Sequence, residues 1–179
     1  LSVMHAAGID PKSIGGAILG SVVPPLDSAI VEAMETYFHA PCMRVDTSLD
    51  LGIEVRYGAP KEIGADRLIN AVGGKAKYGC PLIVVDFGTA ITLDVVSPDG
   101  AYLGGTISPG IVTSMEALFG RTAKLPKIAL EIPPVAIGRT TIEAIQAGIL
   151  FGTAGLGDSL VRRIWKELGC ETGVVATGG

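Results

Sequence analysis

The sequence predicts an α/β protein, and three observations carry that prediction. Short apolar runs alternate with helical spacing across the first third of the chain. A fully apolar run, Leu82 to Val85, leads into two further strand-like runs joined by turns. A long helical pattern then precedes a last apolar run near Val174. Such alternation favours a parallel or mixed sheet covered by helices over a sandwich or a bundle.

The elements follow in order. A short helix over Leu1 to Ala7 precedes a strand across Ala17 to Val23, which Pro24-Pro25 stops. Asp27 or Ser28 then caps a helix in which Ile30, Met34 and Phe38 recur at helical spacing, and Cys42 to Val45 offers a second strand. Beyond a loop rich in charge and glycine, Ala65 to Lys77 is helical, with Leu68, Ala71 and Val72 on one side and Gly79 as its stop. Leu82 to Val85, Ile91 to Val96 and Tyr102 to Ile107 read as three successive antiparallel strands, the last two joined by Pro98-Asp99-Gly100. Pro109-Gly110 opens a helix carrying Val112, Met115, Leu118 and Phe119, and Arg121 to Pro134 is a proline-rich loop. From Thr140 to Leu168 the helical period persists, but Gly148, Gly152, Gly155 and Gly157 interrupt it. Two helices, or one helix with close packing partners, both satisfy that pattern. Val174 to Gly179 reads as a buried strand entering a glycine turn, a position from which chains normally continue. A boundary near Tyr78 to Pro81 separates residues 1–80 from residues 81–179.

Composition narrows the function. The 179 residues carry 48% hydrophobic content, enough for a substantial core. With 14 Lys plus Arg against 18 Asp plus Glu, the net charge is −4 and no dense basic run could track a phosphate backbone, so nucleic acid is not an expected partner. No stretch reaches the ~18 to 20 uninterrupted apolar residues of a membrane span, so a cytoplasmic protein is expected. Cys42, Cys80 and Cys170 are far apart and form no Cys-x-x-Cys pair, which indicates neither a disulfide framework nor a zinc site. His5 and His39 have no second ligand at a metal-like spacing.

Two segments suggest chemistry. In Asp86-Phe87-Gly88-Thr89-Ala90 an acid at a strand end, a glycine and a hydroxyl can combine charge neutralisation with backbone donors for phosphate; a turn that merely needs glycine explains the same residues. In Gly64-Ala65-Asp66-Arg67, small residues beside Asp66 would let a substrate hydroxyl approach its carboxylate, while Arg67 offers a planar fork to an anionic group. An ordinary first-turn carboxylate facing the helix dipole is the structural alternative. Thr140 is a capping residue by its spacing to Glu143, and Tyr57-Gly58-Ala59-Pro60 reads alone as a turn. Asp86-Phe87-Gly88 also occurs in protein kinases, but their His-Arg-Asp, Val-Ala-Ile-Lys and double-glycine phosphate loop are absent, as are the Gly-x-x-x-x-Gly-Lys-Ser/Thr loop and a complete dinucleotide fingerprint.

The order of these pieces is more specific than any one of them. Ser21-Val22-Val23-Pro24, Tyr57 to Pro60, Gly64 to Arg67, Val85 to Ala90, Gly104 to Gly110, Thr122 to Pro126, Gly138 to Thr141, Gln146 to Gly148 and Ala176 to Gly179 together resemble the type III pantothenate kinases across essentially the whole chain. The resemblance implies the ribonuclease H-like, actin-like ATPase fold, with two related lobes of mixed sheet and flanking helices. Residues 1–80 would then be the remainder of the N-terminal lobe and residues 81–179 the C-terminal lobe. It implies ATP-dependent phosphorylation of pantothenate, the first step of coenzyme A biosynthesis. Asp66 would be the proton acceptor; Tyr57, Gly64, Ala65, Asp66 and Arg67 would line the pantothenate pocket, with Thr141 or Thr140 reaching it across a homodimer interface. Gly88 and Thr89, with Gly178 on the nucleoside side, would contact ATP, and Asp86 would hold a monovalent cation, potassium or ammonium, beside phosphate-bound magnesium. The family's Asp-x-Gly-Asn-Thr loop is not in this sequence, which implies first-lobe strands outside these residues. A sugar or small-alcohol kinase of the same fold, and a non-catalytic regulatory relative, are the competing expectations.

Overall fold

A computed structural model of the chain describes residues 2–121 and 128–179. The Thr122 to Pro126 motif lies outside the described residues.

The first third is a β-α-β unit. After a short helix, α1 (Ser2–Ala6), strand β1 (Ala17–Leu19) pairs in parallel with β2 (Cys42–Arg44), and α2 (Pro24–Ala33) with a wider turn (Met34–Phe38) makes the crossover. The strand expected to run to Val23 stops at Leu19, and Ser21 accepts the backbone N–H of Val23 to turn the chain. The helix starts three residues before the expected cap. Proline has a helical φ and no N–H to leave unsatisfied, so Pro24 opens the first turn while Asp27 falls inside the helix. Asp27 is buried and accepts from Arg44 Nη2 on β2 at 2.8 Å, tying the crossover to its strand.

The main sheet has the order β5-β4-β3-β6, formed by β3 (Leu82–Phe87), β4 (Ala90–Val96), β5 (Tyr102–Pro109) and β6 (Gly173–Gly178). The three consecutive strands are antiparallel, as their turns predict, and β6 joins β3 in parallel. Alternation along β3 sends Leu82 and Val84 to one face and Ile83 and Val85 to the other. On the first face lies α3 (Ala65–Tyr78), which buries Leu68 and Ala71, along with the segment containing Leu51, Ile53 and Val55. Gly74 of α3 packs so close that a Cβ there would come within 2.8 Å of Leu82 and Val84. Leu68 is 0% exposed, so Leu68→Ala would cost about 2–5 kcal/mol. Packing therefore crosses the boundary near Tyr78 to Pro81, because α3 is one wall of the sheet that follows it.

On the second face lies α5 (Thr141–Leu168), which packs Leu160, Val161, Ile164, Trp165 and Leu168 onto Ile83, Val85 and Leu93. It is one helix of 28 residues, resolving the two-helix alternative. The expected close neighbours of Gly148, Gly152, Gly155 and Gly157 are not seen among the described residues, where a Cβ at each would meet open space. Its length and hydropathy would suffice to cross a membrane, yet its C-terminal half covers the sheet. On the same face, α4 (Ile111–Arg121) follows β5 and adds Ile111 to this cluster. The last strand differs from expectation: β6 is not buried, with Val174 43% exposed, because it pairs on one side only among the described residues.

Candidate active site

Gly64 precedes the first turn of α3, and this junction shapes Asp66. The Asp66 Oδ1 accepts the Arg67 backbone N–H at 2.8 Å, which folds the carboxylate back over the helix start. A Cβ on Gly64 would collide with that oxygen, so glycine is what leaves it room. Asp66 remains exposed, and its Oδ2 has no hydrogen bond among the described residues. Ala65 is buried beneath it.

One helical turn later, Asn70 donates from Nδ2 to Asp86 Oδ2 at 2.8 Å. Residues four apart share a helix face, so Asp66 and Asn70 point the same way and the end of β3 lies beneath them. The helix that carries Asp66 is thereby tied to Asp86, 20 positions further along the sequence. The parallel register sets Asp86 opposite Thr177 and Phe87 opposite Gly178. Gly178 has φ 94°, and a Cβ there would stand 2.6 Å from Asp86 Oδ1 and 2.5 Å from the Phe87 carbonyl oxygen. The 86–89 turn is braced from α4, since Thr89 O accepts from Gly110 N at 2.9 Å and from Thr113 Oγ1 at 2.7 Å. Gly88, Thr89, Phe87, Thr113 and Gly179 line a cleft of about 680 Å³. The expected nucleotide residues Gly88, Thr89 and Gly178 thus converge at one end of the sheet beside Asp86.

No group of three His, Cys, Asp or Glu side chains capable of holding a metal occurs among the described residues. Asp86 instead offers a single carboxylate with one oxygen bonded to Asn70 and the other turned to the glycine-lined gap at Gly178. That donor set fits a weakly held cation completed by other oxygens and does not fit a closed divalent site.

Arg67 departs from the exposed fork expected of it. The residue is 6% exposed, and its Nε donates to Asp94 Oδ1 at 2.7 Å. Its Nη2 lies at the same distance from that oxygen without pointing an N–H at it, and so is buried with no hydrogen-bond partner. Tyr102 donates its hydroxyl to Asp94 Oδ1 at 2.9 Å and Thr92 donates to Oδ2 at 3.1 Å. Burial pushes the Asp94 carboxyl up; the Arg67 charge pulls it down without cancelling that effect, since Asp94 is 0% exposed. Burial works against the Arg67 charge too, but Asp94 outweighs it and holds Arg67 above its ordinary value. Tyr102 is pushed up, by burial first and then by Asp94. Tyr57 packs its ring 6.3 Å from that of Tyr102 and would touch any side chain at Gly104, so it belongs to the same cluster. Tyr57 and Arg67 are therefore brought together through Tyr102 and Asp94.

Thr141 stands apart from these residues. It is exposed at the start of α5 and lines a separate cleft with Leu118, Ala144, Ile145 and Ile149, while Thr140 caps the helix by accepting Glu143 N at 3.2 Å. Sequence reasoning missed Asn70, Asp94 and Tyr102. The signals were an asparagine four residues after Asp66 and a lone acid inside the apolar run Ile91 to Val96.

A family model described as type III pantothenate kinase matches residues 1–163. A type III pantothenate kinase of Solibacter usitatus is 46% identical over 178 residues, covering 99% of this chain and 68% of its own length. That of Dehalococcoides mccartyi is 46% identical over 179 residues, with 100% and 69% covered, and that of Persephonella marina 43% identical, with 99% and 70% covered. The chain thus spans about two thirds of these relatives. A crystal structure from Campylobacter jejuni, named for a Baf family of transcriptional activators, superposes with TM-score 0.55 at 18% identity, covering 89% of this chain and 69% of that one, a likeness of fold alone. By the family model and by identity over its whole length, this chain belongs to the type III pantothenate kinase family.

Proposed function

We propose that this chain carries the pantothenate-phosphorylating centre of an ATP-dependent kinase. The observation that carries this reading is the Asn70 bridge, which sets the Asp66 helix against Asp86 and the Gly88-Thr89 turn. Phosphoryl transfer demands position and charge neutralisation more than covalent catalysis, and a carboxylate beside a glycine-rich cleft is this chain's part of that contribution.

In this reading the primary hydroxyl of pantothenate lies against Asp66, gives up its proton to the carboxylate as its oxygen attacks the γ-phosphorus of ATP, and ADP leaves. Alignment matters more than basicity here, because the proton is lost late, as the attacking oxygen loses electron density. The backbone N–H bond to Oδ1 fixes the carboxylate and leaves Oδ2 to the substrate. Gly64 and Ala65 supply clearance, and Arg67, held by Asp94, forms the wall of the pantothenate pocket with Tyr57. Gly88 and Thr89 take the phosphates, and Gly178 lies on the nucleoside side. Magnesium on the ATP phosphates and potassium or ammonium at Asp86 would supply charge neutralisation. Thr141 serves the site of a partner subunit in a homodimer, the chain forms parts of two ribonuclease H-like lobes, and the enzyme is cytoplasmic.

The test is Asp66→Asn in the full-length enzyme. Turnover of pantothenate is expected to fall by roughly 10²-fold or more with the fold retained by circular dichroism. Near-normal turnover would remove Asp66 from the mechanism, and a substrate panel in which a sugar but not pantothenate is phosphorylated would overturn the substrate.

A further inference from the structure

Asn70 is half-buried in the middle of α3, where asparagine is a poorer helix former than alanine by several tenths of a kcal/mol. It caps nothing, and it lies one turn before Gly74, on the side of α3 that meets β3. Its one side-chain hydrogen bond among the described residues is the 2.8 Å donation from Nδ2 to Asp86 Oδ2. The amide must be oriented this way, because its carbonyl oxygen would repel the carboxylate.

Asp86 is the complementary oddity. It is a half-buried carboxylate at a strand end with no Lys, Arg or His ion pair among the described residues, so a neutral amide is its only side-chain partner. That bond claims Oδ2. Oδ1 is left turned toward the Gly178 gap, where a Cβ would come within 2.6 Å of it, and toward the 86–89 turn, where a Cβ on Gly88 would come within 3.9 Å. A carboxylate rotating freely about its last bond would present either oxygen to the cleft. One locked by a donor on the helix side presents only Oδ1.

We propose that Asn70 is a positioning residue that locks the Asp86 carboxylate, so that Oδ1 is held as the cation ligand at the mouth of the nucleotide cleft. The inference rests on the cation reading of Asp86 given above. Donors behind a metal-binding carboxylate commonly contribute 10- to 100-fold to affinity through orientation, and Asn70 has that relation to Asp86.

The experiment compares full-length wild type and Asn70→Ala, with choline chloride holding ionic strength constant as potassium chloride is varied. Phosphorylation of pantothenate gives the half-saturating potassium concentration. Thermal melting in potassium chloride against choline chloride gives cation binding without turnover. The variant is expected to raise the half-saturating potassium concentration by roughly 10-fold or more and to lose most of the potassium-dependent shift in Tm, with KM for pantothenate little changed. A variant whose potassium response matches wild type in both measurements overturns the proposal. So does one whose Tm falls equally in both salts with an unchanged potassium response, which would make Asn70 a packing residue. Potassium-independent turnover and melting of the wild type would overturn both this inference and the cation role of Asp86. A wild type that melts in a potassium-dependent way but phosphorylates no pantothenate would refute the functional reading while the melting comparison still decides on Asn70.

Discussion

Asp94 and Arg67 form a buried pair in which neither partner can be removed cheaply. Asp94→Ala would leave the 6% exposed guanidinium without its counter-charge, and a loss of about 3–5 kcal/mol is expected in urea unfolding. Asp94→Asn, which keeps the shape and one acceptor, should cost less. Asp99 is the surface counterpart: bonds from Ser97 first, and then Arg56, hold its carboxyl down to about 2. A depressed acid stabilises the fold above its ordinary value of 3.8 and loses that contribution as pH falls toward about 2. A carbon-detected NMR titration should find that low midpoint, and molar salt should raise it, because the group is exposed. The sequence pointed to Arg67 as a ligand fork but not to Asp94 as its holder. Local spacing says which residue types are present, whereas the partner lies 27 positions away on another element and is known only once the sheet packs.

Among the elements, those with strong periodicity were legible. The antiparallel run β3-β4-β5 and the helix α3 follow from apolar patterning and from Gly79, which ends α3 with φ 80°. Boundaries set by competition were not: Pro24 outcompeted Asp27 as a helix start, and one-sided pairing left β6 exposed. Of the site, the Asp66 and 86–89 segments could be named, but their adjacency could not, because it depends on α3 lying across β3. The glycine at 178 is where that geometry is most easily tested. Gly178→Ala would place a methyl group against the Phe87 carbonyl and Asp86 Oδ1 at a φ that L-residues rarely adopt. We expect it to weaken ATP binding by calorimetry by about 10-fold or more, an effect of 1.4 kcal/mol or more, while α3 and the Asp94 cluster stay intact.

At the scale of the whole molecule, the sheet is walled by α3 on one face and α5 on the other, and Thr141 sits on the far wall from Asp66. A two-fold homodimer that brings one subunit's Thr141 to the other's Asp66 makes a distinctive prediction. Asp66→Asn and Thr141→Ala enzymes, each impaired alone, should recover roughly a quarter of wild-type turnover when their subunits are mixed, since half the dimers would carry one intact site of two. Sites complete within one subunit would show no recovery. The wall formed by α3 also acts as a ruler. A helix advances 1.5 Å and turns about 100° per residue, so the spacing between Asp66 and Asn70, which holds Asp86, is fixed by counting four residues along one rod. Inserting a single residue between Asp66 and Asn70 would swing one of the two off the common face, so the length of this stretch is constrained as well as its core residue Leu68.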